Sequence, residues 1–203
     1  MLSAIVHGVI LAFGLILPLG VQNVFVFNQG AIQPKFIRSL PVVITASICD
    51  TILIALAVLG VSVIVIGVYW IKLTLFTVGI IFLVYMGYVV WNSKPSINSS
   101  DVNALSPKKQ IGFAASVSLL NPHAIMDTIG VIGTSSLSYS GVEKISFTLA
   151  CIIVSWLWFF SLALLGKQVG KLDKSGNFMG ILNKVSALIM WGTAIYLIFT
   201  LAP

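Results

Sequence analysis

Six apolar runs of about 20 residues each dominate this sequence of 203 residues and constrain its fold more than any other feature. The hydrocarbon core of a bilayer is about 30 Å thick, so a helix needs roughly 20 apolar residues to cross it. We therefore expect an all-α integral membrane protein with six transmembrane helices. The second and third runs nearly merge, and we divide them around residues 60–67. The alternative to six helices is five helices and a re-entrant segment. The runs cover residues 4–27, 41–63, 70–92, 111–134, 145–166 and 181–202.

Composition supports a membrane protein and argues against other classes. Hydrophobic residues make up 59% of the chain and charged residues only 8%, whereas soluble domains carry about 25% charged residues. The first charged residue is Lys35, so we expect no cleavable signal peptide and a first run that stays in the membrane. No phosphate-binding loop or zinc-ligand spacing is present. We therefore predict neither an enzyme nor a nucleic-acid-binding protein, and no cofactor or resident metal.

The basic residues predict the orientation of the chain. Nine of them follow the first, third or fifth run, and only Lys72 and Lys144 follow the second or fourth. Lys and Arg near helix ends stay preferentially in the cytoplasm. We expect the odd-numbered loops in the cytoplasm and both termini outside it. The nine are Lys35, Arg38, Lys94, Lys108, Lys109, Lys167, Lys171, Lys174 and Lys184.

The two halves of the sequence resemble each other. A polar linker at residues 93–110 separates residues 1–92 from residues 111–203. A shift of 104 positions places Gly8 on Gly112, Pro18 on Pro122 and Asn23 on Asp127. Each half contains three runs, an odd number, so the halves would insert in opposite orientations. The prediction is two inverted three-helix repeats, an arrangement typical of secondary transporters.

Two prolines fall near the middle of the first and fourth runs. Proline removes a backbone donor and clashes with the preceding turn, and lipid cannot satisfy the polar groups that it frees. Each proline has amide side chains beside it, so we expect two broken helices around a polar site. The residues concerned are Pro18, Gln22, Asn23, Asn121 and Pro122.

Two carboxylates lie inside apolar runs, Asp50 and Asp127. Each costs roughly 2.5–3.5 kcal/mol at the centre of a membrane helix, and no Lys or Arg lies at comparable depth. The missing countercharge would be a cationic substrate, a metal ion or protons; two hydrogen-bonded or protonated carboxyls are the alternative. His123 is four residues before Asp127, so the two can share a face and relay protons, or His123 can bond a backbone carbonyl. Ser155 is a further candidate to face the cavity.

At these residues the sequence resembles the LysE family of amino-acid exporters. The stretches that carry the resemblance are LPLGVQNVFVFNQG (17–30), SICDTILI (47–54) and LNPHAIMDTIGVIG (120–133). The resemblance implies export of amino acids across the bacterial plasma membrane, driven by an ion gradient. The HAxxD stretch is similar to the lysine and arginine branch. Where many members have Gly-Pro before Gln-Asn, this chain has PLGVQN, which shifts the expected break.

The leading hypothesis is therefore a proton-coupled exporter of lysine or arginine, in which Asp50, Asp127 and His123 carry protons. An exporter of divalent metal or another small ion is the alternative from a different class. A transmembrane electron carrier would require Cys49 and Cys151 to meet. The sequence leaves a homodimer open. The predicted substrate-binding residues are Pro18, Gln22, Asn23, Asp50, Asn121, Pro122, His123 and Asp127.

Overall fold

The computed structural model describes residues 1–17, 20–60, 69–92, 105–172 and 177–201, and within these ranges it contains helices and no strand. A 3₁₀ turn at Phe36–Ser39 precedes α3, and a π-helical stretch at Thr128–Gly133 lies between α6 and α7. The α-helices are α1 (Leu2–Ile16), α2 (Val21–Ile32), α3 (Leu40–Val58), α4 (Tyr69–Trp91), α5 (Pro107–Leu119), α6 (Pro122–Asp127), α7 (Thr134–Ser136), α8 (Gly141–Leu172) and α9 (Asn177–Leu201).

Helix length and apolar composition identify membrane spans within the described residues. Three helical segments qualify, namely Phe36–Val58, Gly141–Leu172 and Gly180–Phe199, and a fourth span is formed if α1 and α2 count as one bent pair. Phe76–Trp91 of α4 is a shorter apolar helix. The fourth apolar run is divided among α5, α6 and the π-helical stretch. The all-helical membrane class is thus confirmed, and the count of six full spans stays a prediction.

Both helix breaks lie where the prolines predict them. Helix α1 ends at Ile16 and α2 begins at Val21, at an angle of 80°; Pro18 lies outside the described residues. In the second half, α5 ends at Leu119 and α6 begins at Pro122. Proline is favoured as the first residue of a helix, because the N–H that it lacks would have no partner there.

The helices of the two halves pack in an exchanged pattern. The broken pair α1 and α2 packs on α8, the second half's long helix. Helix α5 and the π-helical stretch pack on α3, which belongs to the first half. Helices α3 and α8 also contact each other, as do α4 and α9. Each broken segment therefore packs mainly on a helix of the other half and not within its own half.

Glycines allow α2 and α8 to approach at backbone distance. A Cβ atom added to Gly30 would lie 2.2 Å from the Ala163 carbonyl oxygen. One added to Gly166 would lie 2.1 Å from the Phe27 carbonyl oxygen. Such small-residue contacts are a common way for membrane helices to associate, because lipid provides no hydrophobic drive between them. The two helices therefore form one closely packed unit.

The bundle has a basic end and an opposite end. At the basic end the Lys167 ammonium donates to the carbonyls of Gln33 and Pro34, and Gln110 Nε2 donates to the Arg38 carbonyl at 2.9 Å. Lys167 was expected in a loop, but it lies within α8, where it satisfies carbonyls after the end of α2. At the opposite end the Met1 ammonium pairs with Glu143 at 2.6 Å.

Candidate functional site

A cavity of about 400 Å³ lies between the two helix breaks. This volume falls within the roughly 300–1,000 Å³ typical of small-molecule sites. The walls are largely apolar, and they come from both halves of the chain. The polar side chains among the lining residues are Gln22, Asn23, Asp50, Asn121, Asp127, Thr128, Ser155 and Thr193. The helix breaks thus bring five of the predicted binding residues into one cavity.

Asp50 projects from α3 and receives a neutral hydrogen bond on each carboxylate oxygen. Gln22 Nε2 donates to Oδ1 at 3.1 Å, and Ser155 Oγ donates to Oδ2 at 2.9 Å. The donors belong to α2 and α8, so this carboxylate links the first break to the second half. Both donors are neutral, so Asp50 is held in position by uncharged hydrogen-bonding groups.

Asn23 stabilises the first break. Its Nδ2 donates to the carbonyl of Ile16 at 2.6 Å, which satisfies an acceptor at the end of α1. Its Oδ1 accepts from Trp158 Nε1 on α8 at 3.2 Å. The side chain is 5% exposed. Asn23 consequently has a clear structural function at this site, in addition to lining the cavity.

The second break contributes Asn121 and Asp127. Asn121 is 8% exposed, and its carbonyl accepts from the Ile125 N–H at 3.1 Å as α6 begins. Asp127 is the last residue of α6, is half-buried and lines the cavity. The π-helical stretch starts at the next residue, Thr128; such widened turns occur frequently at functional sites. The second carboxylate thus lies where the helix changes its winding.

Three predicted residues are not placed at the level of side chains. Pro18 lies outside the described residues, and for Pro122 and His123 the structure describes only the backbone, within α6. The expected pairing of His123 with Asp127 therefore stays a prediction.

Sequence reasoning missed two hydroxyl side chains and the function of one tryptophan. Thr128 and Thr193 line the cavity, and Trp158 donates to Asn23. Thr128 is adjacent to Asp127, which is a usable signal. Thr193 carries no such signal, because a threonine in an apolar helix usually bonds its own backbone, as this one also does to the Ile189 carbonyl at 2.9 Å.

Metal and redox chemistry find little support at the site. Within the part of the chain that the structure describes, no three His, Cys, Asp or Glu side chains lie close enough to hold one metal ion. Cys49 and Cys151 are both buried free thiols. Cys151 Sγ donates to the Gly8 carbonyl at 3.5 Å. No observation on these residues favours the metal-ion or electron-carrier hypotheses.

A helical membrane protein whose broken helices enclose a polar cavity has the organisation of a secondary transporter. Comparison with known proteins agrees with this class. The chain belongs to the LysE type translocator family, whose sequence profile matches residues 13–200. It is therefore a multi-pass membrane protein of an amino-acid transporter family, a family of transporters and not of enzymes.

Individual relatives cover nearly the whole chain. It is 58% identical over 195 residues to the "Putative amino-acid transporter YisU" of Bacillus subtilis (strain 168), across 96% of this chain and 89% of that protein. It is 31% identical over 201 residues to the arginine exporter protein ArgO of Escherichia coli (strain K12), across 97% and 94% of the two chains. The ArgO protein of Shigella flexneri shows the same identity and coverage. No solved structure matches the chain.

Proposed function

We propose that this protein exports a basic amino acid, arginine or lysine, across the bacterial cell membrane. The observation that carries the proposal is the position of Asp50 and Asp127, two carboxylates that line one cavity. No Lys or Arg is among the described residues that line it. Asp50 accepts from the neutral groups of Gln22 and Ser155, and a cationic ligand can supply the countercharge that a carboxylate within the membrane favours. The names of the ArgO relatives support arginine as a substrate.

The cavity offers partners for both ends of such a substrate. Asp50 and Asp127 would bind the guanidinium or ammonium group, since charge-assisted hydrogen bonds are among the strongest in proteins. The first turn of α2, Gly20 to Asn23, lines the cavity as well. Its backbone N–H groups and the positive end of the helix dipole favour binding of the substrate's α-carboxylate. Gln22 and Asn121 would complete the polar contacts, while Pro18 and Pro122 keep the helices broken.

The exchanged packing supports alternating access by two inverted repeats. The pair α1 and α2 packs on α8, α5 and the π-helical stretch pack on α3, and α3 contacts α8. A movement of one half against the other would therefore open the cavity to either side by turns, as inverted-repeat transporters do. The basic end would face the cytoplasm, because it carries Lys35, Arg38, Lys167 and Lys171.

Export of a cation requires a coupling ion. Moving one elementary charge through the membrane potential is worth about 2.3 kcal/mol per 100 mV, and the negative cell interior opposes the exit of arginine. We propose proton antiport, in which Asp50, Asp127 and His123 exchange protons for the substrate. Protonated carboxyls would reset the empty carrier, and ionised carboxylates would bind the amino acid.

The Asp127→Asn variant tests the substrate assignment. The substitution keeps the size of the side chain and removes its charge, so we expect efflux of arginine and lysine to be abolished while membrane insertion is retained. Efflux of labelled arginine from vesicles is the measurement. Glu143→Gln is the matched control, since Glu143 is an exposed carboxylate paired with the N-terminus. Normal efflux by Asp127→Asn would show that this carboxylate is structural and would reject a basic substrate held by it.

A further inference from the structure

Buried polar side chains are distributed unevenly on the two sides of the cavity. Toward the basic end, Gln29, Ser47, Gln110 and Ser118 are each no more than 4% exposed. Toward the opposite end, the described residues include one buried polar side chain, Ser136, and its hydroxyl donates to the Gly133 carbonyl at 2.6 Å. A membrane protein core has no need of polar groups on one side only. The asymmetry therefore calls for a functional explanation.

Several oxygens of these side chains lack a strong hydrogen-bond partner. Ser47 Oγ and Gln110 Oε1 are buried without a hydrogen bond, and so is Asn28 Oδ1, while Ser118 Oγ has only the Cys49 thiol as a partner. A thiol is only a weak hydrogen-bonding group. All four atoms lie between the cavity and the basic end. Buried polar groups in proteins are nearly always paired, so each exception requires a reason such as a partner present in another state.

The polar side chains continue from the cavity along three helices. Ser47 is one turn before Asp50 on α3, and Ser118 lies in the last turn of α5, three residues before Asn121 at the second break. Gln29 is two turns after Gln22 on α2. Residues at these spacings share one face of a helix. Since α5 packs against both α2 and α3, the three faces meet in the region between the cavity and the basic end.

The same region is closed by apolar packing. Val26, Val42, Ala46, Ala114 and Ala163 form one cluster there, and each is no more than 1% exposed. The cluster joins α2, α3, α5 and α8, so it separates the cavity from the basic end. Buried polar side chains and close apolar packing therefore share this region, which is closed in this structure.

We infer that Gln29, Ser47, Gln110 and Ser118 line a closed route between the basic end and the cavity. An amino acid with a cationic side chain passes along this route when α2, α3 and α5 separate. The unpaired oxygens then bind water and the substrate's N–H groups. The lining amides and hydroxyls are neutral, which suits a route along which binding must stay weak enough for release. Only the identity of the substrate rests on the proposed function.

Cysteine labelling tests the route. Ser47→Cys and Ser118→Cys are placed singly in a Cys49→Ala/Cys151→Ala background whose arginine efflux has been checked, and vesicles are treated with a membrane-impermeant maleimide on one side at a time. We expect labelling of both variants from the basic end during transport, changed at least threefold by saturating arginine. Ser136→Cys, equally buried on the opposite side, is the control and should stay unlabelled from the basic end.

Different outcomes separate this inference from the proposed function. If the variants export arginine but neither Ser47→Cys nor Ser118→Cys is labelled, the route is wrong and the substrate assignment stands. If they are labelled but arginine is neither exported nor affects labelling, the route stands and the substrate assignment fails. Equal labelling of Ser136→Cys from the basic end would also overturn the route. Should the background lose activity, Cys49→Ser/Cys151→Ser, which keeps a hydroxyl of similar size at each buried position, is the alternative background.

Discussion

Asp50 shows how a carboxylate is retained within an apolar helix. Its two oxygens accept from Gln22 and Ser155, which orient the group without neutralising its charge. Asp127 lines the same cavity from the other half of the chain. The sequence could predict both carboxylates, because an acid in an apolar run is conspicuous. It could not predict which neutral side chains would orient Asp50, since that depends on the rotation of α2 and α8 about their axes.

The Asp50→Asn variant tests whether the charge itself is needed. An amide at this position keeps the volume and removes the charge. Its oxygen can accept from Gln22 and its NH₂ can donate to the Ser155 hydroxyl, which accepts as well as donates, so the loss concerns mainly the charge-assisted bond to the substrate. Hydrogen bonds to charged groups contribute about 1.5–3 kcal/mol, so we expect arginine efflux to fall by roughly 10- to 100-fold or more.

Initial rates of efflux from everted membrane vesicles provide the measurement for Asp50→Asn. Ser155→Ala is the companion variant: it keeps the carboxylate and removes one donor, so its loss should be smaller. Equal rates in Asp50→Asn and the unmodified chain would contradict a binding function for this group.

Among the helices, the positions of the two breaks were predictable from the sequence, but the residues at which the helices end were not. Proline chemistry is local, so the positions of both breaks follow from the sequence. The fifth run was predicted to end at residue 166, but α8 continues to Leu172. Lys167 tolerates this position because the carbonyls of Gln33 and Pro34, just after α2, accept from its ammonium. That contact joins residues far apart in sequence, and hydropathy does not reveal it.

The close approach of α2 and α8 predicts a strong effect of one added methyl group. In Gly166→Ala, the new Cβ would lie 2.1 Å from the Phe27 carbonyl oxygen, so the helices must separate. Overpacking of this kind costs about 1–3 kcal/mol, and we expect a clearly lower melting temperature in detergent. Gly112→Ala is the matched control, with no atom within 4 Å of its added Cβ. A melting temperature for Gly166→Ala equal to that of the control would show that the two backbones are not in contact.

At the scale of the whole molecule, the halves exchange their broken segments and enclose one cavity between them. Charge counting had predicted that basic residues gather on one side. In the structure, Lys35, Arg38, Lys167 and Lys171 lie at the same end of the bundle, where Lys167 and Gln110 bond carbonyls of other segments. Such clustering was predictable because it obeys a simple rule of insertion. The pairing of helices between halves was not, because it depends on side-chain packing.

The coupling of protons to the substrate determines how much net charge each transport cycle moves across the membrane. Two protons entering for each arginine leaving would carry net +1 inward, so an interior-negative potential would drive export. One-for-one exchange would be electroneutral and would respond to the pH gradient alone. Vesicles in which the potential and the pH gradient are imposed separately distinguish these cases. We expect at least one of these two driving forces to accelerate efflux. Efflux that survives the collapse of both, but stops when external amino acid is withdrawn, would reveal an exchanger and reject proton coupling.

A cavity with two carboxylates and no basic side chain among its described lining residues should select a cationic amino acid. Counterflow by the purified protein in proteoliposomes tests it most directly. Vesicles loaded with unlabelled arginine or lysine should accumulate labelled arginine, and vesicles loaded with leucine or threonine should not. If leucine or threonine supports counterflow as well as arginine does, the carboxylates do not select charge and the claim is contradicted.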